Sequence, residues 1–197
     1  MTGPGPIAAS ARVIERGRSK AHRPLAPEVR RAAVDRGLAA YDRGAWYLAH
    51  EELEPAWMGT ADQAERALLS GLIKIAAAYV HAARGNPLGV RTNLRGARER
   101  LATAGAAAAA AAGAPSGPAA APPGSTEAIT WIDLPALLTA VDDRLARVEV
   151  LCAEPHEATI GRDEGPVAPP HDVAGPVGRF RGTPVALPTI PIPRRPA

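Results

Sequence analysis

Proline and aromatic residues are distributed unevenly along the chain, and this limits how much of it can form one folded core. Ten of the 21 prolines lie from Pro155 onward, whereas five of the seven aromatic residues lie between Tyr41 and Tyr79. Proline removes a backbone donor and interrupts helices and strands, while aromatic side chains supply much of the surface that a core buries. We therefore predict a core of about 100 residues with loose ends, and not one globule of full length.

Positive charge is concentrated near the N-terminus. Residues 1–31 contain seven Arg or Lys against two Glu, a net charge of +5, compared with +3 for the whole chain. An arginine-rich arm can bind nucleic acid by releasing counterions. No aromatic residue lies among these arginines to stack on bases, so a solvated arm is the favoured interpretation. A second basic stripe, at Arg91, Arg95 and Arg98, is interpreted as a solvated helix face and not as a phosphate or RNA site.

Cysteine content and hydropathy narrow the cellular setting. Cys152 is the single cysteine, so the sequence has neither a disulfide framework nor a cysteine cluster for a metal. It contains no run of about 18 apolar residues, and its N-terminus lacks the apolar stretch of a secretory signal. We predict a cytoplasmic protein that does not associate with a membrane.

Apolar residues recur at helical spacing in five segments, and no segment shows the sustained alternation of a strand. Gly44 is expected to end the first helix in the left-handed conformation, and Gly85 with Asn86 to end the third. Thr60 with Gln63 is interpreted as the capping box that begins the third helix. The expected fold is therefore all-α, a compact bundle of about five helices. The predicted helices cover about residues 27–43, 45–58, 61–84, 87–103 and 134–151.

Low-complexity segments divide the chain. Residues 1–26 are predicted to be a disordered basic arm, and residues 153–197 a disordered proline-rich tail. The helical bundle domain covers residues 27–152 and is interrupted by a low-complexity linker at 104–130 that is rich in Ala, Gly and Pro. Within the tail, residues 188–195 are of polyproline type and could dock in an aromatic groove, but an unstructured end is the favoured interpretation.

Several short motifs in the second and third helices form a joint pattern. They are, in order, H-E-x-x-E-x-x-W from His50 to Trp57, the acidic–arginine pair Glu65-Arg66, Gly-Leu-Ile at 71–73, His81, and G-N-x-x-G from Gly85. Together they resemble the prokaryotic family known as domain of unknown function 309. The resemblance covers roughly residues 36–101, and the helix at 133–151 would be its final element.

This resemblance implies a small all-α bundle and brings no agreed activity with it. The sequence departs from the family pattern at two positions. Lys74 stands where the family usually has Gln, and Asp42 where it often has Asn. The cation at Lys74 would lie on the same helix face as His81, where it would weaken a metal site.

Polar side chains of the second helix form the candidate site. His50 and Glu54 lie one turn apart, so both can point at one place, as two metal ligands on a helix do. The favoured interpretation is a largely buried, hydrogen-bonded structural pair with Trp57 or Arg66 as further partners. A small-molecule or anion pocket and a metal or acid–base site are the alternatives. The residues of this candidate cluster are His50, Glu51, Glu54, Trp57, Lys74 and His81.

The leading hypothesis for function is a non-catalytic helical domain that binds a protein partner or a small ligand and requires no cofactor. The alternative is a metal-dependent, hydrolase-like enzyme. It would hold a divalent transition metal with His50 and Glu54 and use Glu51 as its base. The H-E-x-x-E motif lacks the second histidine of the zinc-protease motif H-E-x-x-H. The sequence also contains no serine nucleophile elbow and no phosphate loop, so catalysis would depend on this cluster.

Overall fold

One helix, α3 (Gln63–Ala83), is buried along most of its length. The structure is a computed structural model that describes residues 11–15, 18–112, 132–153, 177–180 and 183–194. The other helices of these residues are α1 (Pro27–Asp42), α2 (Trp46–Gly59), α4 (Pro87–Ala112) and α5 (Leu134–Ala153). Each helix packs against the next one along the chain. The predicted all-α bundle of five helices is confirmed.

The buried stripes are the ones that the helical periodicity predicts. Removing a large aliphatic or aromatic side chain from water contributes about 1.5–3 kcal/mol, so these stripes hold neighbouring helices together. The residues concerned are Val34, Leu38 and Tyr41 of α1, Leu68, Leu72, Ile75 and Tyr79 of α3, Val90, Leu94, Ala97 and Leu101 of α4, and Leu137, Val141 and Val148 of α5.

Two glycines end helices in the predicted way. Gly44 follows α1 with a φ of 77°, and Gly85 follows α3 with a φ of 63°. Only glycine adopts this left-handed region without a steric penalty, so both positions end the helix and turn the chain back toward its neighbour.

The predicted capping box at Thr60 and Gln63 is wrong. Asp62 is the N-cap of α3, and its side chain accepts a hydrogen bond of 2.7 Å from the backbone N–H of Glu65. The Thr60 hydroxyl accepts from the backbone N–H of Asp62 and donates to the carboxylate of Glu65 instead. The capping sequence is therefore Asp-x-x-Glu, two residues later than predicted.

Helix α4 continues into the predicted linker. It extends to Ala112, and Ala104 is fully buried. Alanine has the highest helix propensity of any residue, so the alanine run prolongs the helix until the prolines that follow. Residues 104–112 of the predicted linker segment thus belong to α4, and residues 113–131 lie outside the described residues. In the described part of the chain, no helix is long and apolar enough to span a membrane.

The basic stripe of α4 faces acidic residues of α5. Arg98 Nε lies 2.6 Å from an Asp142 carboxylate oxygen, and Arg95 Nε lies 2.9 Å from Glu149 Oε1. Arg91 approaches Glu149 to 3.7 Å. The predicted solvated stripe therefore stays largely exposed while it pairs with α5, which packs beside it. These exposed pairs orient α5 more than they stabilise it.

Parts of both predicted disordered ends contact the bundle. The N–H groups of Arg23 and Leu25 donate to the carbonyls of Met58 and Gly59 at the end of α2. Residues 187–194 also differ from the predicted tail, because Leu187 and Ile190 belong to the hydrophobic core.

Short antiparallel strand pairs lie near both ends of the chain, where the periodicity indicated no strand. Each strand is four or five residues long, which is too short for an alternating pattern to be evident. The pairs are β1 (Ala11–Glu15) with β2 (Arg18–His22), and β3 (Val177–Phe180) with β4 (Thr183–Ala186). Residues 1–10, 154–176 and 195–197 of the predicted ends lie outside the described residues.

The contact between α3 and α4 yields a test at Gly71. A Cβ at this position would lie 2.7 Å from Leu101 Cδ2 and 2.8 Å from Leu101 Cγ, inside the core. We expect Gly71→Ala to lower the free energy of unfolding by about 1–3 kcal/mol through overpacking, in spite of its higher helix propensity. Gly105→Ala is the matched control, since its Cβ would meet only the end of Leu134 at 3.3 Å. Urea denaturation that finds both variants equally stable would contradict this packing.

Candidate functional site

Helix α2 brings three candidate ligands together. His50, Glu51 and Glu54 each offer one ligand atom, and these atoms all lie within 4.8 Å of one another. His50 Nδ1 lies 3.3 Å from Glu51 Oε1, which makes them an ion pair when the imidazole is protonated. The direction between the two groups does not suit a hydrogen bond, and Nδ1 is enclosed by protein without a hydrogen-bond partner.

Two expectations for His50 are wrong. Its side chain is 32% exposed and not largely buried. No hydrogen bond joins His50 to Glu54, although both lie in the described part of the chain. The reason is the position of His50 at the edge of the apolar face of α2, whose centre is formed by Trp46 and Leu53. A hydrogen-bonded, buried His–Glu pair is therefore not the element that fixes the packing of α2.

The remaining candidates of the predicted cluster lie elsewhere. His81 Nδ1 lies 3.3 Å from the Asn86 side-chain amide, and its ring packs over Gly89 at the start of α4. The side chain of Lys74 extends along α4, where its Cδ, Cε and Nζ atoms cover Gly96. The group of potential metal ligands on α2 thus includes neither His81 nor Lys74.

A buried ionic network that the residue analysis missed lies where α3 begins. The Glu65 side chain is 5% exposed, and its carboxylate accepts a 2.5 Å hydrogen bond from the Thr60 hydroxyl. Arg30 of α1 approaches both carboxylate oxygens of Glu65 at 3.4 Å. A buried carboxylate needs such partners because desolvation strongly disfavours its charge. This network links α1 to the turn between α2 and α3.

Arg66 extends the network to the end of α2. It is buried, and its Nη1 donates to the carbonyls of Trp57 at 2.8 Å and Thr60 at 3.2 Å. Its guanidinium lies 4.4 Å from the centre of the Trp57 ring, a cation–π contact. The predicted cluster residue Trp57 therefore belongs with Arg66. The signal in the sequence is the Glu65-Arg66 motif of the family pattern.

A third polar arrangement joins the core to the distant segment 187–194. The Tyr79 hydroxyl donates to the Pro188 carbonyl at 2.9 Å and accepts from the Ile190 N–H at 2.7 Å. The Tyr41 hydroxyl donates to the Ile190 carbonyl at 3.0 Å. The Trp46 ring is stacked on Tyr79 at 5.7 Å, and Tyr41 meets Tyr79 edge-on at 6.0 Å.

Burial changes the acidity of these tyrosines. It raises the pKa of Tyr79 from 10.0 to about 12, while the nearby Arg144 guanidinium opposes part of this rise. Burial also raises the pKa of Tyr41 well above 10.0, and the neighbouring Tyr79 and Asp42 add to the effect against Arg144. Both hydroxyls therefore remain protonated, and able to donate to the segment, through the neutral pH range.

Comparison with known proteins agrees with the motif pattern. A family model described as "Domain of unknown function (DUF309)" matches residues 34–93. The matched range contains the ligand group on α2, Glu65 and Arg66 and both buried tyrosines, whereas Arg30 and α5 lie outside it. No curated protein and no solved structure matches the chain. The predicted family resemblance is confirmed.

The two polar clusters lead to different expectations for stability. Glu65→Gln removes the charge that Arg30 faces in the core, so we expect it to lower the free energy of unfolding by about 3 kcal/mol. His50→Ala removes a partly exposed ring without a hydrogen bond, so we expect a change below about 1 kcal/mol. Urea denaturation of both variants measures the difference. A larger loss for His50→Ala than for Glu65→Gln would restore the structural interpretation of His50.

The tyrosine pKa values give an alkaline limit to stability. Because the folded-state pKa of Tyr79 is about 12 and its ordinary value is 10.0, its contribution is fully present below pH 10. We expect that contribution to fall by about 1.4 kcal/mol per pH unit between pH 10 and 12. Denaturation at several alkaline pH values measures this slope. Tyr79→Phe should show a smaller slope over the same interval, and an equal slope would contradict the assignment.

Proposed function

We propose that the chain is a member of the DUF309 family, whose model matches residues 34–93, and that its bundle is a non-catalytic binding domain that holds a divalent metal ion with His50, Glu51 and Glu54. One observation supports this most strongly. An enclosed ring nitrogen of His50 has no hydrogen-bond partner, although two carboxylates lie close to the ring. Buried polar atoms normally have a partner, and a cation bound between these groups would supply one.

The donor set is suitable for a transition metal. Imidazole nitrogen and carboxylate oxygen are common ligands of zinc and related divalent ions. His50 and Glu54 are four residues apart, so they lie on the same face of α2. The two glutamates would offset the charge of the ion, and a divalent metal bound there would supply Lewis-acid chemistry. Lys74 was expected to weaken a metal site through its charge, but its side chain extends along α4 and is not part of the ligand group.

A hydrolase-like enzyme is the second candidate. It is favoured by the partly exposed Glu51 carboxylate beside His50, which is placed to accept a proton from an attacking water. Within the described residues, however, every member of the ligand group belongs to α2. A catalytic site also needs groups that orient the substrate and stabilise developing charge. The binding role is therefore preferred.

The cytoplasmic setting forms part of the proposal. Cys152 is a free, half-buried thiol, which is compatible with a reducing compartment. Fractionation of the producing cells would test this location independently of the metal.

Metal content tests the binding role. The full-length chain, freed of metal with a chelator and dialysed against Zn²⁺, should retain one equivalent by mass spectrometry. We expect His50→Ala to weaken binding at least tenfold, which corresponds to about 1.4 kcal/mol. His81→Ala is the matched control and should bind zinc as the wild type does, because His81 contacts Asn86 and is not part of the ligand group.

Two outcomes would change the proposal. A wild-type chain that retains no zinc above the His50→Ala level would contradict the metal site. Zinc-dependent hydrolysis of a simple ester that is lost in Glu51→Gln, while zinc is still retained, would support the enzyme instead. Activity that is unchanged in Glu51→Gln would point to a contaminant.

A further inference from the structure

The segment 187–194 contacts the bundle with a period of three residues. Leu187 and Ile190 are buried and Pro193 is half-buried, whereas the residues that follow each of them, Pro188, Pro191 and Arg194, are exposed. A polyproline II helix has three residues per turn, so one of its faces can be buried while its prolines face water. This burial pattern is that of an extended ligand lying in a groove.

The hydrogen bonds in this groove are made to the main chain. The Tyr79 and Tyr41 hydroxyls bond the carbonyls of Pro188 and Ile190, and Tyr79 also accepts the Ile190 N–H. Any extended segment would offer the same carbonyls and N–H groups. Selectivity would come from the two buried aliphatic side chains, as in other aromatic-lined grooves that bind proline-rich peptides.

The groove and its occupant come from different parts of the chain. Tyr41, Trp46 and Tyr79 lie within the range 34–93 that matches the family, whereas residues 187–194 lie outside it. At its far end the segment is held by the Asp133 N–H, which donates to the Pro193 carbonyl, and by an exposed ion pair between Arg194 and Asp42. Exposed pairs contribute little, so the segment is bound mainly through its aliphatic side chains and the tyrosines.

We propose that the groove at Tyr41 and Tyr79 binds an extended, proline-containing segment of a partner protein, and that residues 187–194 are its internal competitor. The partner segment carries aliphatic side chains three residues apart, with proline after each and no charge at either position. The internal segment belongs to the same chain as the groove, so it binds there without a loss of free concentration. A partner segment must displace it, so release of the internal segment controls access. This inference is independent of the metal site.

Peptide binding by a released groove tests the proposal. Ile190→Asp in the full-length chain places a charge in the buried position and should release the segment. A fluorescent peptide with the sequence of residues 186–195 should then bind at least tenfold more tightly than it binds the wild type, measured by anisotropy. Val150→Asp is the matched control, because Val150 is exposed on α5, and it should bind as the wild type does. A folded Ile190→Asp chain without peptide binding would overturn the proposal.

If Ile190→Asp does not fold, hydrogen exchange of the wild-type chain provides a second test of the proposal. Excess unlabelled peptide at millimolar concentration should increase exchange at the chain's own residues 187–194 and leave α3 unchanged. Tyr79→Phe, which loses both hydroxyl contacts, should show the same increase without peptide, whereas Tyr47→Phe should not. Unchanged exchange at millimolar peptide would overturn the proposal. A stable dimer that requires Ile190 would also overturn it, because the segment would then exchange between copies of this chain.

Discussion

The burial of α3 on nearly all sides is the constraint on which the rest of the structure depends. A helix in this position has little solvent-facing surface, so its buried polar residues must find partners inside the protein. Glu65 meets this need with Thr60 and Arg30, and Tyr79 meets it with the main chain of residues 188–190. Hydrogen bonds and ion pairs to the polar groups of α3 therefore attach three other parts of the chain to it. These are α1, the turn between α2 and α3, and the segment 187–194.

Much of the bundle could be predicted from the sequence because it depends on local signals. Helical periodicity indicated the buried stripes of α1, α3 and α4, and the glycines at 44 and 85 indicated where two helices end. The N-terminus of α3 was misplaced because Thr60 and Asp62 are both good capping residues. The choice between them depends on the tertiary environment of Glu65, which helical spacing does not encode.

The candidate site was harder to predict for a related reason. Helical spacing predicted that His50 is largely buried, but its exposure depends on how far the neighbouring helices extend over the apolar face of α2. The carboxylate buried in the structure is that of Glu65 and not that of Glu54. Its ion-pair partner Arg30 lies 35 residues earlier in the chain, so helical spacing does not connect the two. A rule for proline-rich composition likewise predicted disorder for residues 187–194. Their burial follows a three-residue period, which neither the helical nor the strand template detects.

The separation in sequence between Tyr79 and Ile190 also affects how the protein is made. These two residues are 111 positions apart, so synthesis at about 5–20 residues per second produces the tyrosine roughly 6–20 s before its partner. Helices α1 to α4 interact mainly with their neighbours in sequence, and such local contacts form quickly. The nascent bundle therefore presents an open aromatic groove during translation, and the chain's own segment reaches it last.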